Sequence, residues 1–468
     1  MKNLLRRPKT QTLDHTTGRY DRFGLTENPF PTEPVNRDSS DRRINGEIYE
    51  SEIRNAELSR IRKSFLDQPQ SNRNRLRLGY ICDTSYIGRG NGKSAFLVNL
   101  AQTINREYCL DMAGGVNKCF ALYLTPEPGG RTKTFPSFID LVFESMLQSG
   151  MIDVCLASLR LAAIFSIYPA MESDLACKDE EELVRNVNNR DWLKERGIDI
   201  LQVSRMIEED EHLQALPPDF PLVTGRNRLI RDFVSRKSFQ DHYFLTLRKG
   251  KERLDFVLSH LVHMFRAAGF NGVYLLVDDF ERIPDFQSKR QQKDFAIELR
   301  SALLDGPSIG ARAGFYTAML VLHAGVPQLI SEAWRLSGLE NRYPIAPRVD
   351  SSHWIAFEKL ARDDVSLLLQ KYLSSYRLEG RSSPKLSPFT REAVDLIAEL
   401  CENNAAKILR SCCDLLERAA EDTECTKIDK AFVQERTEWQ GHAGQEEAPN
   451  IEDPSATDLM KKAMEGQR

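Results

Sequence analysis

Along this chain the apolar positions gather into short, nearly unbroken runs separated by longer amphipathic stretches. Residues 76–82 (Leu-Arg-Leu-Gly-Tyr-Ile-Cys), 119–124 (Cys-Phe-Ala-Leu-Tyr-Leu), 272–277 (Gly-Val-Tyr-Leu-Leu-Val) and 318–323 (Ala-Met-Leu-Val-Leu-His) are such runs. Their length and continuity suit strands covered on both faces, in the middle of a parallel sheet. After the first run, Phe96, Leu97, Leu100, Ala101 and Ile104 recur at helical spacing. Strands alternating with helices predict a doubly wound α/β domain with a parallel sheet.

The runs are unevenly spaced. Between the second and third, residues 126–270 carry a mostly helical pattern far longer than an ordinary crossover, which reads as a large helical insertion. It holds acidic runs such as Asp179-Glu180-Glu181-Glu182 and basic ones such as Arg248-Lys249-Gly250-Lys251 and those within residues 226–236. From residue 348 the pattern turns entirely helical, over 365–376, 391–400 and 405–420, which predicts an all-helical domain across 348–440. Residues 441–468, rich in Glu, Pro and Gly, read as a disordered tail. At the other end, residues 1–70 form a polar arm. There Asn28-Pro29-Phe30-Pro31 must be extended, and Ile48, Ile53, Leu58 and Ile61 fit an amphipathic helix. The arm packs across the core domain or meets a partner. Residues 71–347 remain as the core.

Composition narrows the function classes. Across 468 residues, 64 Lys and Arg face 68 Asp and Glu, a formal net charge of -4, which excludes nucleic-acid binding by bulk positive charge. Residues 1–77 carry a local basic excess, with 16 Lys and Arg against 11 Asp and Glu. The apolar stretch 161–171 is about half of what a bilayer crossing needs, so no membrane partner is expected. Residues 1–10 lead into no apolar segment of the kind a secretory leader has. Nine cysteines include no Cys-x-x-Cys pair, as for free thiols in a reducing cytoplasm.

The strongest chemical signal follows the first strand: Ile87-Gly88-Arg89-Gly90-Asn91-Gly92-Lys93-Ser94. A phosphate-binding loop has Gly, four residues, then Gly-Lys-Ser/Thr. Here Gly92-Lys93-Ser94 is intact, while Ile87 holds the first Gly position and Gly88 comes one place late. Glycines at 88, 90 and 92 let backbone N–H groups of Gly88 to Ala95, Arg89 and Asn91 included, wrap an anion without Cβ clashes. Lys93 can reach the β- and γ-phosphates of ATP, and Ser94 can ligate Mg²⁺ at the start of a helix whose dipole favours the phosphates.

Hydrolysis needs a second acidic site. The run Val273-Tyr274-Leu275-Leu276-Val277 ends in Asp278-Asp279-Phe280-Glu281-Arg282. A strand-end Asp278 can hold Mg²⁺, and Asp279 sits where a carboxylate would polarise the attacking water, with Glu281 as the substitute.

Together the Gly-Arg-Gly-Asn-Gly-Lys-Ser loop and the Val-Asp-Asp-Phe-Glu-Arg strand end resemble the AAA+ P-loop ATPases. Within them the likeness is to the origin-recognition/STAND-related group, which includes transposition-helper and phage-defence ATPases. The resemblance spans roughly residues 23–438 without the insertion. It implies a P-loop NTPase sheet with an all-helical C-terminal lid, and a polar sensor at the end of the fourth strand, where this chain has His323. It also implies an arginine finger offered to a neighbouring subunit, where Arg342 stands with Arg348 behind it. A lid sensor falls in Asn403-Asn404-Ala405-Ala406-Lys407-Ile408-Leu409-Arg410, with Ala406 at the arginine position and Lys407 or Arg410 as substitutes.

His260 and His263 stand three apart on a helical stretch, but no further ligand type lies near them in sequence, and they read as ordinary helix residues. The expected function is a Mg²⁺-dependent ATPase acting as a homo-oligomer or hetero-complex. It couples ATP binding and hydrolysis to assembly or remodelling on DNA or a partner complex, in phage defence or a mobile element. The alternative is a slowly hydrolysing ATP-dependent switch that recruits a separate effector protein, since Ile87 and Asp279 both depart from the fast-hydrolysing pattern.

Overall fold

The computed structural model describes residues 18–68, 75–83, 90–110, 118–172, 175, 177–209, 233–345, 351–380 and 384–443. The chain forms two compact units, one of Val35–Lys359 and one of Met1–Pro34 with Leu360–Arg468.

The first unit is α/β. Five strands, β1 (Leu78–Asp83), β2 (Cys119–Leu124), β3 (Gly272–Val277), β4 (Tyr316–Leu322) and β5 (Trp354–Phe357), make an all-parallel sheet in the order β2-β3-β4-β1-β5. The first four coincide with the predicted runs to within two residues at each end. The fifth corrects the reading that the chain is purely helical after residue 347: Trp354–Phe357 pairs only with β1 and lies at the sheet edge.

Side chains alternate between the faces of the sheet, as the two-residue repeat of a strand requires. Ile81, Ala121, Tyr274, Leu276, Met319, Val321 and Ile355 share one buried cluster with Ile61, Phe65, Phe96, Leu97 and Leu100. These come from α1 (Asn55–Ile61), the turn that continues it, and α2 (Lys93–Thr103). Tyr80, Phe120, Leu122, Leu275, Val277, Ala318 and Leu320 face the other way, into the larger cluster. Helices therefore cover both faces.

That larger cluster also takes in buried residues of the 126–270 segment, whose helices include α3 (Phe135–Gln148) and α4 (Met151–Ile167). Phe138, Phe143, Ile152, Leu156, Phe256 and Phe265 are buried in the same core as the strands. Phe120 on β2 meets the Phe265 ring at 5.0 Å between centroids. The insertion thus shares the sheet's own core. On this same face, the Trp334 indole N–H donates to the Tyr80 hydroxyl at 2.7 Å, and that hydroxyl donates to the Tyr343 carbonyl at 2.9 Å.

Among the described residues no single helix is long and apolar enough to cross a membrane. α3 and α4 meet that test only as a pair across a 59° bend, and their apolar residues lie in the core.

The second unit is helical, with Arg362–Ser375, Arg391–Leu400, Ala405–Glu421 and Lys430–Ala443. The extended Asn28-Pro29-Phe30-Pro31 segment belongs to it: Phe30 packs on Tyr372 and Phe389, and Asn28 donates to the Cys413 carbonyl at 3.1 Å and to Glu417 Oε1 at 2.8 Å. The tail expected from residue 441 lies, from 444 onward, outside the described residues, as do residues 1–17.

Candidate functional site

Ligands of open parallel sheets sit beyond the carboxyl ends of the strands, where connections from two neighbouring strands depart in opposite directions. In this sheet that point lies between β1 and β4. The chain leaves β1 toward β2 at one edge, and leaves β4 toward β5 at the other.

At the end of β1 stands Asp83, 4% exposed as a residue. Its Oδ1 accepts from the Asn91 amide at 3.1 Å, and its Oδ2 is paired with the Lys93 ammonium. The loop closes on two left-handed glycines, Gly90 at φ 96° and Gly92 at φ 88°. No atom lies within 4 Å of a Cβ built at Gly92, so the backbone angle, not crowding, requires glycine there.

Gly92 is also the residue from which α2 departs, and no side chain caps that helix. The first intrahelical bond runs from the Phe96 N–H to the Gly92 carbonyl at 2.9 Å. The N–H groups of Lys93, Ser94 and Ala95 therefore have no acceptor within the helix itself and lie at the positive end of the helix dipole. Gly88 and Arg89 lie outside the described residues.

Arg54, which the sequence did not single out, secures the loop from behind. It is 7% exposed and donates to the carbonyls of Asn91 at 3.2 Å and Glu358 at 2.8 Å. Its other nitrogen pairs with Glu57 at 3.0 Å, and its guanidinium stacks 4.5 Å from the Phe357 ring centroid. One buried cation thereby ties the loop to β5 and α1.

Asp278 follows β3 and is 3% exposed. Its Oδ2 accepts from the Tyr123 hydroxyl at 2.7 Å, and its Oδ1 from the Asp279 N–H at 3.0 Å. Burial raises the Asp278 pKa, while hydrogen bonding from Ser94, Tyr123 and the Asp279 backbone pulls it back. The Ser94 hydroxyl and the Asp278 carboxylate are therefore hydrogen-bonded neighbours.

Asp279 adopts a left-handed conformation, φ 45° and ψ 46°, a strained geometry for a residue with a Cβ. Its carboxylate is paired with Arg282, which also donates to the Pro126 carbonyl at 3.3 Å. Glu281 lies near enough to β1 to help raise the Cys82 thiol. Burial is the largest cause of that rise, to about 12, with Asp83 next, so Cys82 is an inert thiol.

His323 follows β4 and so stands between Asp83 and Asp278 along the carboxyl edge. Its Nδ1 accepts from the Gly325 N–H at 3.5 Å. Arg342 is elsewhere. It is exposed and near Arg77, at the amino end of β1, about 20 Å along the strand from the loop. It cannot serve the site of its own chain. Arg348 and residues 226–232 of the basic stretch lie outside the described residues. Lys407 belongs to the helical unit, where its N–H donates to the Asn404 cap at 3.1 Å and its ammonium lies 3.7 Å from Glu402.

Among the described residues no three His, Cys, Asp or Glu side chains gather into a metal cage, His260 and His263 included. Ser94 with Asp278 is instead a one-carboxylate, one-hydroxyl set. It suits a hard cation such as Mg²⁺ that keeps its waters and takes its remaining ligands from phosphates.

No family model, no curated protein and no solved structure matches this chain.

Proposed function

We propose that this chain is a Mg²⁺-dependent ATPase with a P-loop nucleotide fold of the AAA+ kind. The observation that carries the reading is the uncapped start of α2 at the switch point of a parallel sheet, with Lys93 and Ser94 in its first turn and Asp278 beside Ser94. In that reading the open N–H groups and Lys93 hold the phosphates of ATP. Ser94 and Asp278 would hold Mg²⁺, which supplies charge neutralisation to the phosphates when bound. A carboxylate, Asp279 or else Glu281, orients the water that displaces ADP from the terminal phosphate. His323, at the end of β4, would contact that phosphate as the polar sensor. Arg342, at the far end of the sheet, acts only on the site of a second copy, which fits a homo-oligomer.

One observation favours the slow switch within this reading. The Asp279 carboxylate is occupied by Arg282, so the resting site lacks a carboxylate free to polarise water at that position. ATP would then hold an assembled state that recruits a partner effector, rather than drive rapid turnover on DNA.

The test is steady-state ATP hydrolysis by the purified chain, alone and with double-stranded DNA, with Lys93→Ala as the blank. DNA-stimulated turnover that vanishes in the variant supports the remodelling ATPase. Tight ATP binding with little turnover and a change in assembly size supports the switch. Absence of nucleotide binding would end both.

A further inference from the structure

The phosphate-binding lysine of the proposed site is already engaged. In the described structure the Lys93 ammonium is paired with Asp83, whose side chain is 0% exposed, while that of Lys93 is 12% exposed. The second Asp83 oxygen accepts from Asn91 in the same loop. Asp83 ends β1 just as Asp278 follows β3, yet no Mg²⁺-binding role in the proposed site calls for it. Of the described cations, Lys93 is the one whose pairing with Asp83 the structure records.

We infer that Asp83 is an internal competitor for Lys93 that sets how tightly the site takes a nucleotide; the inference rests on the nucleotide reading of that site. A buried carboxylate left without a cation is unfavourable. An incoming phosphate must therefore share Lys93 with Asp83 or take it away, and the lost pairing weakens binding. Asp83 thus holds both Asn91 and Lys93, fastening the end of the loop to β1. A nucleoside diphosphate or triphosphate opens the pair of Asp83 and Lys93. Asp83 is thus an affinity-setting residue that touches no phosphate.

The experiment is a calorimetric titration of the full chain with ADP in magnesium buffer, for the wild type, Asp83→Asn and Lys93→Ala. Asn keeps the shape of the side chain and an acceptor for Asn91 while releasing Lys93. The expected result is binding about tenfold tighter in Asp83→Asn, which is about 1.4 kcal/mol, and loss of binding in Lys93→Ala. Equal or weaker binding in Asp83→Asn overturns the inference while leaving the nucleotide reading intact. If the wild type and Asp83→Asn both fail to bind ADP and ATP, the nucleotide reading itself falls, and this inference with it. Asp83→Ser, smaller and uncharged, replaces Asp83→Asn if that variant does not fold. Thermal melts give a readout without nucleotide. Lys93→Met should lower the midpoint by stranding Asp83, and adding Asp83→Asn should restore it. Purely additive effects would show that the pair is not formed and would overturn the inference.

Discussion

The hydroxyl of Tyr123, next to last in β2, donates to Asp278 Oδ2 at 2.7 Å, so two neighbouring strands hold the acid to which Ser94 hydrogen-bonds. Burial works against the charge on Asp278, and the Tyr123 bond works for it. Tyr123 is itself steadied from α3, where the Ser145 hydroxyl donates to its carbonyl at 3.2 Å.

Tyr123→Phe leaves that oxygen without its donor at a buried position, a loss of about 1–3 kcal/mol. Under the proposed ATPase function, nucleotide binding through Lys93 and the α2 amides should persist. The Mg²⁺ concentration for half-maximal ATP turnover should rise roughly tenfold, an amount that corresponds to about 1.4 kcal/mol. A magnesium titration of turnover in wild type and variant checks it, and an unchanged midpoint would remove Tyr123 from the site.

Arg282 restrains Asp279, and the two variants of that pair should act in opposite directions. If the chain is the proposed ATPase, Asp279→Asn should keep ATP binding and lower hydrolysis by about a hundredfold or more, the scale of losing a positioned base. Arg282→Ala, which frees the carboxylate, should raise basal hydrolysis several-fold. Should Asp279→Asn turn over normally and Glu281→Gln not, the water-orienting role belongs to Glu281.

These contacts mark where the sequence was legible. The four long apolar runs are strands because covering on both faces leaves no polar alternation to disguise them. β5 escaped because Trp354–Phe357 is a four-residue edge strand amid polar residues, too short to show a period. Lys93 and Ser94 were singled out by the Gly-Lys-Ser pattern and Asp278 as the acid closing an apolar run, and the chain brings Ser94 and Asp278 into contact. Asp83 carried the same signal as Asp278, an acid closing an apolar run, but pairing with Lys93 across the loop is a tertiary fact. Tyr123 gave no signal, since a tyrosine inside an apolar run reads as core. Nor did the left-handed Asp279, because nothing local to an Asp-Asp pair dictates positive φ. The insertion looked separate because it is long in sequence, whereas its aromatic residues complete the core on one face of the sheet.

Arg54 tests how far loop stability depends on one side chain. Its fork reaches two carbonyls and Glu57 at once, from a position 7% exposed. Arg54→Ala strands Glu57 and both carbonyls, and should cost about 3 kcal/mol. The melting midpoint should fall by about 5 °C or more. Lys keeps the charge but not the fork, so Arg54→Lys should recover less than half of the loss. Scanning calorimetry on the three proteins decides it; full rescue by Lys would mean that charge alone matters.

Acid stability should be set in part by His263. Burial is the largest cause of its lowered pKa, followed by the charges of Arg266, His260 and Arg312, and together they bring it from 6.5 to about 4. His242 is shifted in the same direction by burial alone. The folded chain therefore keeps these rings neutral where the unfolded chain would protonate them. Above pH 6.5 both states are neutral at His263 and it adds no pH dependence. As pH falls from 6.5 toward 4 the unfolded state binds the extra proton, so stability declines through that window and levels below it. His263→Gln removes this contribution. Urea unfolding at pH 7.5 and pH 5 should show a smaller drop between the two for the variant than for the wild type. Equal drops would mean that His263 titrates normally in the folded chain.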